Sequence, residues 1–205
     1  MKPVTPRRQR RRVPRQRRAL ITVEAILDAV VRILKREGVT AVTTNRIAEV
    51  AGVSVGSVYQ YFPDKRAVFV ALHKRHVEEI DRVLERALVR HANSSLEEFV
   101  SAMVIAMTEA HAADPQLYEL LFSEVPHRGG DTRDFPTRFH GAFRAALSSR
   151  TRELKPRRRL DQTAFVVTHM LESLSHGAVL RRPAGVSFAD AKAETVRSIL
   201  AYLRA

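Results

Sequence analysis

Residues 39–65 read VTAVTTNRIAEVAGVSVGSVYQYFPDK, two short helical segments with a glycine turn between them. Thr43 carries the side-chain oxygen of an N-cap, able to accept from the unpaired N–H groups of a first helical turn. Val42 and Ile47 occupy the N′ and N4 positions of a hydrophobic staple around that cap. Gly52 closes the segment, supplying a left-handed C′ residue without a Cβ clash. Ser54 then caps a second segment, and Val53 and Val58 repeat the staple. Two short helices on a tight Gly-containing turn make a helix-turn-helix. Ala48 is small where the helices cross, and Ile47, Ala51, Val53 and Val58 supply the buried side.

The second helix has an outward face of a particular kind. With Val58 inward, steps of about 100° per residue aim Gly56, Ser57, Tyr59 and Gln60 away from the core. An ordinary solvated face carries Lys or Glu, yet no charged residue occurs from Val50 to Pro63. Small residues let a backbone approach a groove, Ser and Gln hydrogen-bond base edges, and a Tyr hydroxyl reaches phosphate. A polar hairpin buried against a neighbour is the alternative. Two staples, the placed glycine and this face favour double-stranded DNA.

Outward from this motif the chain reads as helix after helix. Upstream, Thr22 is a candidate N-cap, and Val23, Ile26, Leu27, Val30, Ile33 and Leu34 recur at helical spacing until Gly38. Downstream, an amphipathic stretch runs from 64 to about 91. Further helices are expected near 95–113, 115–123, 136–153, 159–181 and 187–203, divided by turn-like segments. The fold class is all-α, with about nine helices: a three-helix head containing the motif at 19–66 and a helical body at 67–205.

Composition bounds the function. The chain has 205 residues, 45% of them apolar, and a formal charge of +13. Its longest charge-free run is too short for the roughly 20-residue span of a membrane helix. No cysteine is present, which excludes disulfides, thiol nucleophiles and Cys-based metal sites and fits a reducing cytosol. Leu20 and Ile21 are followed at once by Thr22 and Glu24, so no secretory h-region exists and a cytoplasmic protein is expected. Residues 1–18 hold nine cations and no acid, leaving 26 cations against 22 acids in the remainder. Such a run, broken by Pro3, Pro6 and Pro14, is expected to be disordered in isolation. It reads either as a solubilising tail or as an arm on phosphates or in a minor groove; beside a DNA-binding motif the second is favoured.

An enzyme is the weak alternative. His73, His76 and Glu79 have a spacing a metal site could use, but a polar helix surface is the better reading of them. No HExxH, P-loop, GxGxxG or GxSxG is present. No catalytic residue, metal or cofactor is expected.

The pattern AIL…AV…L.REG…VTT..IA..AGVS.GSVYQYFPDK over about residues 20–67 resembles the DNA-binding domain of the TetR family of bacterial transcriptional regulators. The resemblance implies that Thr43 and Thr44 open the second helix against a phosphate, with Arg46 nearby. It implies that Val55, Gly56, Ser57 and Gln60 face bases, that Tyr59 and Tyr61 contact phosphates, and that Lys65 is a phosphate cation behind the capping Asp64. The arm of residues 1–18 is longer and more basic than that family needs.

The resemblance also implies that the body binds a small-molecule effector and dimerises. Phe99, Met103 and Met107 form one i, i+4, i+8 stripe, and Phe135, Phe139, Phe143 and Leu147 another; Phe165, His169 and Met170 lie on a third helix. Tyr118, Leu121 and Phe122 come from a short helix between. Met and Phe stripes also fill ordinary cores, so a core and a cavity are both open. The few polar groups suggest a largely apolar effector. Around 159–181 the chain is apolar on two sides, which must then be covered on two sides, and with the last helix it could build a four-helix homodimer interface. The expected function is a homodimeric repressor released from a near-palindromic operator by its effector. The alternative is a ligand-independent architectural DNA-binding protein.

Overall fold

The computed structural model describes residues 15–124, 134–155 and 159–205, so most of the basic arm lies outside the described residues. Among the described residues there are α-helices and short 3-10 turns and no strand. The chain divides into two compact units, Met1–Val68 and Phe69–Ala205.

In the first unit, α1 (Arg15–Glu37) packs on α2 (Thr44–Ala51), and α2 packs on α3 (Val55–Tyr61). A 3-10 turn at Val39–Ala41 joins α1 to α2. Helix α1 starts earlier than the sequence suggests: Thr22 lies inside it and donates to the Arg18 carbonyl at 3.0 Å rather than capping it. A threonine bonded to its own helix one turn back weakens the helix only slightly, and so need not mark a boundary. Arg15, Arg17 and Arg18, expected in the arm, belong to this helix. The core of the unit is Ile26, Ala29, Val30, Ile33, Val42, Ile47, Ala48 and Val58, each almost wholly buried. Both members of the first staple, Val42 and Ile47, are fully buried.

Helix α4 (Lys65–Arg90) begins in the first unit and continues in the second. It is followed by α5 (Leu96–Ala112), α6 (Pro115–Glu124), α7 (Asp134–Ser148), α8 (Leu160–Leu180) and α9 (Phe188–Arg204). Helix α8 is central to the second unit, packing on α5, α7 and α9. Its core face is Ala164, Val167, Thr168, Leu171, Ser175 and Ala178. Helix α5 opens with a full capping box: Ser95 Oγ accepts from Glu98 N, and Glu98 accepts from Ser95 N at 3.0 Å.

Arg150, just past α7, ties three segments together. It is buried, and its guanidinium donates to the carbonyls of His91 at 2.5 Å, Ala92 at 2.8 Å, Ser94 at 3.0 Å and Ala146 at 2.7 Å. It also lies 4.4 Å over the Phe99 ring. The turn between α4 and α5 has carbonyls with no helical partner, and one planar fork of five donors satisfies several of them. Burial pushes its pKa down from the ordinary value, and Glu153 opposes that; the group stays charged because its carbonyl partners replace water.

Candidate functional site

The local chemistry of the helix-turn-helix is that of its caps. Thr43 Oγ1 accepts from Arg46 N at 3.2 Å, and Gly52 adopts φ 69° and ψ 32°, the left-handed region. Ser54 Oγ accepts from Ser57 N at 3.0 Å, and the two serine hydroxyls meet at 2.8 Å. Asp64 Oδ1 accepts from Ala67 N at 2.7 Å and so caps α4, behind which Lys65 stands half-buried.

These caps fix what α3 presents. Val58 is fully buried, while Tyr59 is 52% exposed and Val55 37% exposed, with Gly56 and Gln60 also exposed. Ser57 and Tyr61 are half-buried. Thr44 Oγ1 lies 3.4 Å from the Tyr59 hydroxyl, so the start of α2 and the outer face of α3 share one surface. Two expected contacts are already engaged within the chain. The Ser57 hydroxyl is held by Ser54. The Arg46 guanidinium grips Glu37 through Nε at 2.9 Å and Nη2 at 2.7 Å, and meets Glu49 at 2.7 Å. Hydrogen bonding to Glu37 and then to Glu49 raises the Arg46 pKa, and the same bond lowers that of Glu37.

In the second unit, six residues expected to meet an effector are buried, five of them in one core. Phe99, Met103, Met107, Phe139 and Phe143 belong to one core, with Phe99 and Phe143 rings 5.1 Å apart, and Leu121 is buried on α6. In this structure they pack as core side chains. Phe165 and His169 are not gathered with them: Phe165 is 56% exposed and its ring rests 4.2 Å from that of His169, which is exposed too. Their side of α8 is turned away from its core face, a matter of helical phase that two-sided apolarity could not assign. Met170 is half-buried, and the Phe122 side chain lies outside the described residues. A groove of about 470 Å³ between α4 and α5 is lined by Val83, Ala87, Arg90, Ala102, Ile105 and Ala106 among others, and by none of the expected effector residues.

Tyr118 has partners the sequence did not reveal. Its ring stacks on His111 at 3.9 Å and 12°, and its hydroxyl shares a 2.7 Å hydrogen bond with His176 Nδ1. His111 Nδ1 lies 3.4 Å from His76 Nε2. His76 is therefore turned inward, not part of a polar helix surface. Burial pushes the pKa of His76 down to about 4 and that of His111 down to about 3, so both rings are neutral near pH 7. Burial likewise raises that of Tyr118. One signal was readable beforehand: His111 continues the four-residue steps of Phe99, Met103 and Met107 on α5. No group of three or more His, Cys, Asp or Glu among the described residues could hold a metal ion.

A capped helix-turn-helix followed by a helical unit with its own core is the make-up of a bacterial DNA-binding regulator of transcription. The chain belongs to the tetR family: the family model described as bacterial regulatory proteins, tetR family, matches residues 26–72, and that described as tetracyclin repressor-like, C-terminal domain, matches residues 95–203. It is 34% identical over 96 residues to the HTH-type transcriptional repressor KstR of Mycolicibacterium smegmatis, covering 47% of this chain and 46% of that one. It is 36% identical over 73 residues to the nucleoid occlusion factor SlmA of Haemophilus ducreyi, covering 35% and 32%. The chain thus matches less than half the length of either relative. The fold is similar to that of the transcriptional regulator FadR of Bacillus subtilis in complex with stearoyl-CoA, with a TM-score of 0.63 at 18% identity over 88% of this chain and 96% of that one. The protein is a TetR-family DNA-binding transcriptional regulator. Among the described residues no helix is long and apolar enough to cross a membrane.

Proposed function

We propose that this regulator is a homodimeric repressor that leaves a near-palindromic operator when residues 69–205 take up a small, largely apolar molecule. The observation that carries the DNA half is the face of α3, where Val55, Gly56, Tyr59 and Gln60 stand exposed with no charged neighbour on the helix. Val55, Gly56, Ser57 and Gln60 would meet base edges; Thr43, Thr44, Tyr59, Tyr61 and Lys65 would meet phosphates, and Arg46 would do so on exchanging a carboxylate for a phosphate. Repression is supported by the likeness to KstR, and a ligand by the solved complex of FadR with stearoyl-CoA. The dimer is supported by α8, whose Phe165 and Leu174 are 56% and 38% exposed. A repressor acting on chromosomal DNA would work in the cytoplasm.

Two recognition helices of a dimer enter successive major grooves about 34–36 Å apart. Selection of random duplexes on the purified protein should return a two-fold logo, and sedimentation should give a dimer; monomer alone with DNA bound would overturn this part. A ligand acts only through its differential affinity for two states, so operator DNA must weaken ligand binding by the factor that ligand weakens DNA binding. A second reading, a DNA-binding architectural protein without a ligand, is favoured by the close packing of Phe99, Met103, Met107, Phe139 and Phe143. Equal ligand affinity with and without operator, measured by calorimetry, would select it.

A further inference from the structure

The second unit holds a polar cluster that DNA binding does not use. His76 on α4, His111 on α5, Tyr118 on α6 and His176 on α8 bring four rings from four helices into contact. The cluster stands at the end of an apolar run, since His111 follows Phe99, Met103 and Met107 at four-residue steps on the buried face of α5. Residues four apart on a helix are neighbours, so the buried apolar side chains of α5 lead up to a polar end. Helix α4 repeats the arrangement, with His76 between the buried Leu72 and Ile80.

We propose that His76, His111, Tyr118 and His176 read the hydroxyl head of an apolar effector, a neutral alcohol or phenol rather than a carboxylate or an ammonium. The proposal rests on the ligand-responsive reading above and specifies its ligand class. A neutral imidazole offers one donor and one acceptor, and a phenol offers both, so the cluster complements a group that both donates and accepts. A carboxylate only accepts and an ammonium only donates. The carboxylates of Asp114 and Glu172 reach His76 and Tyr118 with their fields, which disfavours an anionic head. Burial, near complete at His111 and partial at the other three rings, disfavours any unpaired charge, a cation included. The contact of His76 with His111, at 3.4 Å, is longer than a good N–H···N bond.

The test uses the full chain and four probes with one tail: para-butylphenol, butylbenzene, para-butylbenzoate and para-butylbenzylamine. Calorimetry at pH 7 should show the phenol binding roughly tenfold tighter than each of the others. Tyr118→Phe should remove that advantage and leave butylbenzene unchanged; His176→Ala serves the same purpose should the first variant fail to fold. A phenol that binds no better than butylbenzene, or less well than the benzoate or the amine, overturns the assignment. Operator release, followed by gel shift with the same probes, is read separately. Phenol binding without release would overturn the regulatory reading alone, and release by all four probes equally would overturn the head-group assignment alone.

Discussion

Gln60 is the residue on which sequence discrimination should turn. It is exposed on α3 with a side chain able to donate and accept. Gln60→Ala should relax one base pair per half-site in the selected logo, with roughly 1–3 kcal/mol of discrimination lost; an unchanged logo would take it off the bases. Arg46 calls for the opposite experiment. Its guanidinium is held by Glu37 and Glu49, carboxylates that a phosphate must displace. Glu37→Gln should therefore tighten binding to all duplexes. Arg46→Ala should flatten the dependence of log affinity on log salt by about 0.9, the increment of one neutralised phosphate. An unchanged slope would place Arg46 away from the backbone.

At the scale of elements, legibility followed distance along the chain. The helix-turn-helix could be read because its determinants are local: Thr43, Gly52, Ser54 and Asp64 each act within three or four residues of themselves, and each is found in its expected part. The ring cluster could not, since His76, His111, Tyr118 and His176 span 100 positions and four helices. Thr22 misled because a threonine oxygen can cap a helix or bond back within one, and only the structure shows its bond to Arg18. Arg150 was silent for another reason: its partners are backbone carbonyls, which no side chain announces. Arg150→Met should cost about 2–4 kcal/mol in urea unfolding, because it strands several buried carbonyls. A loss within 0.5 kcal/mol, the usual range for a surface change, would mean that water replaces the guanidinium there.

For the whole molecule, the buried imidazoles set a response to acid. Unfolded, His76 and His111 take protons near their ordinary value of 6.5; folded, burial delays uptake to about 4 and about 3. Between those limits the unfolded chain binds more protons than the folded one, so stability falls as pH falls through the window and these groups change nothing above it. Melting temperature should accordingly drop between pH 6.5 and 4, and His111→Gln should shallow that drop. An identical pH profile in the variant would move the acid sensitivity elsewhere. A different consequence follows from the uncharged stretch from Val50 to Pro63. Counterion release belongs to cations that meet phosphate, and α3 has none to contribute. Rising ionic strength should thus weaken operator and random DNA in nearly equal proportion, leaving their ratio intact. A bacterium whose internal salt rises under osmotic stress would lose occupancy at its promoters but not the choice among them.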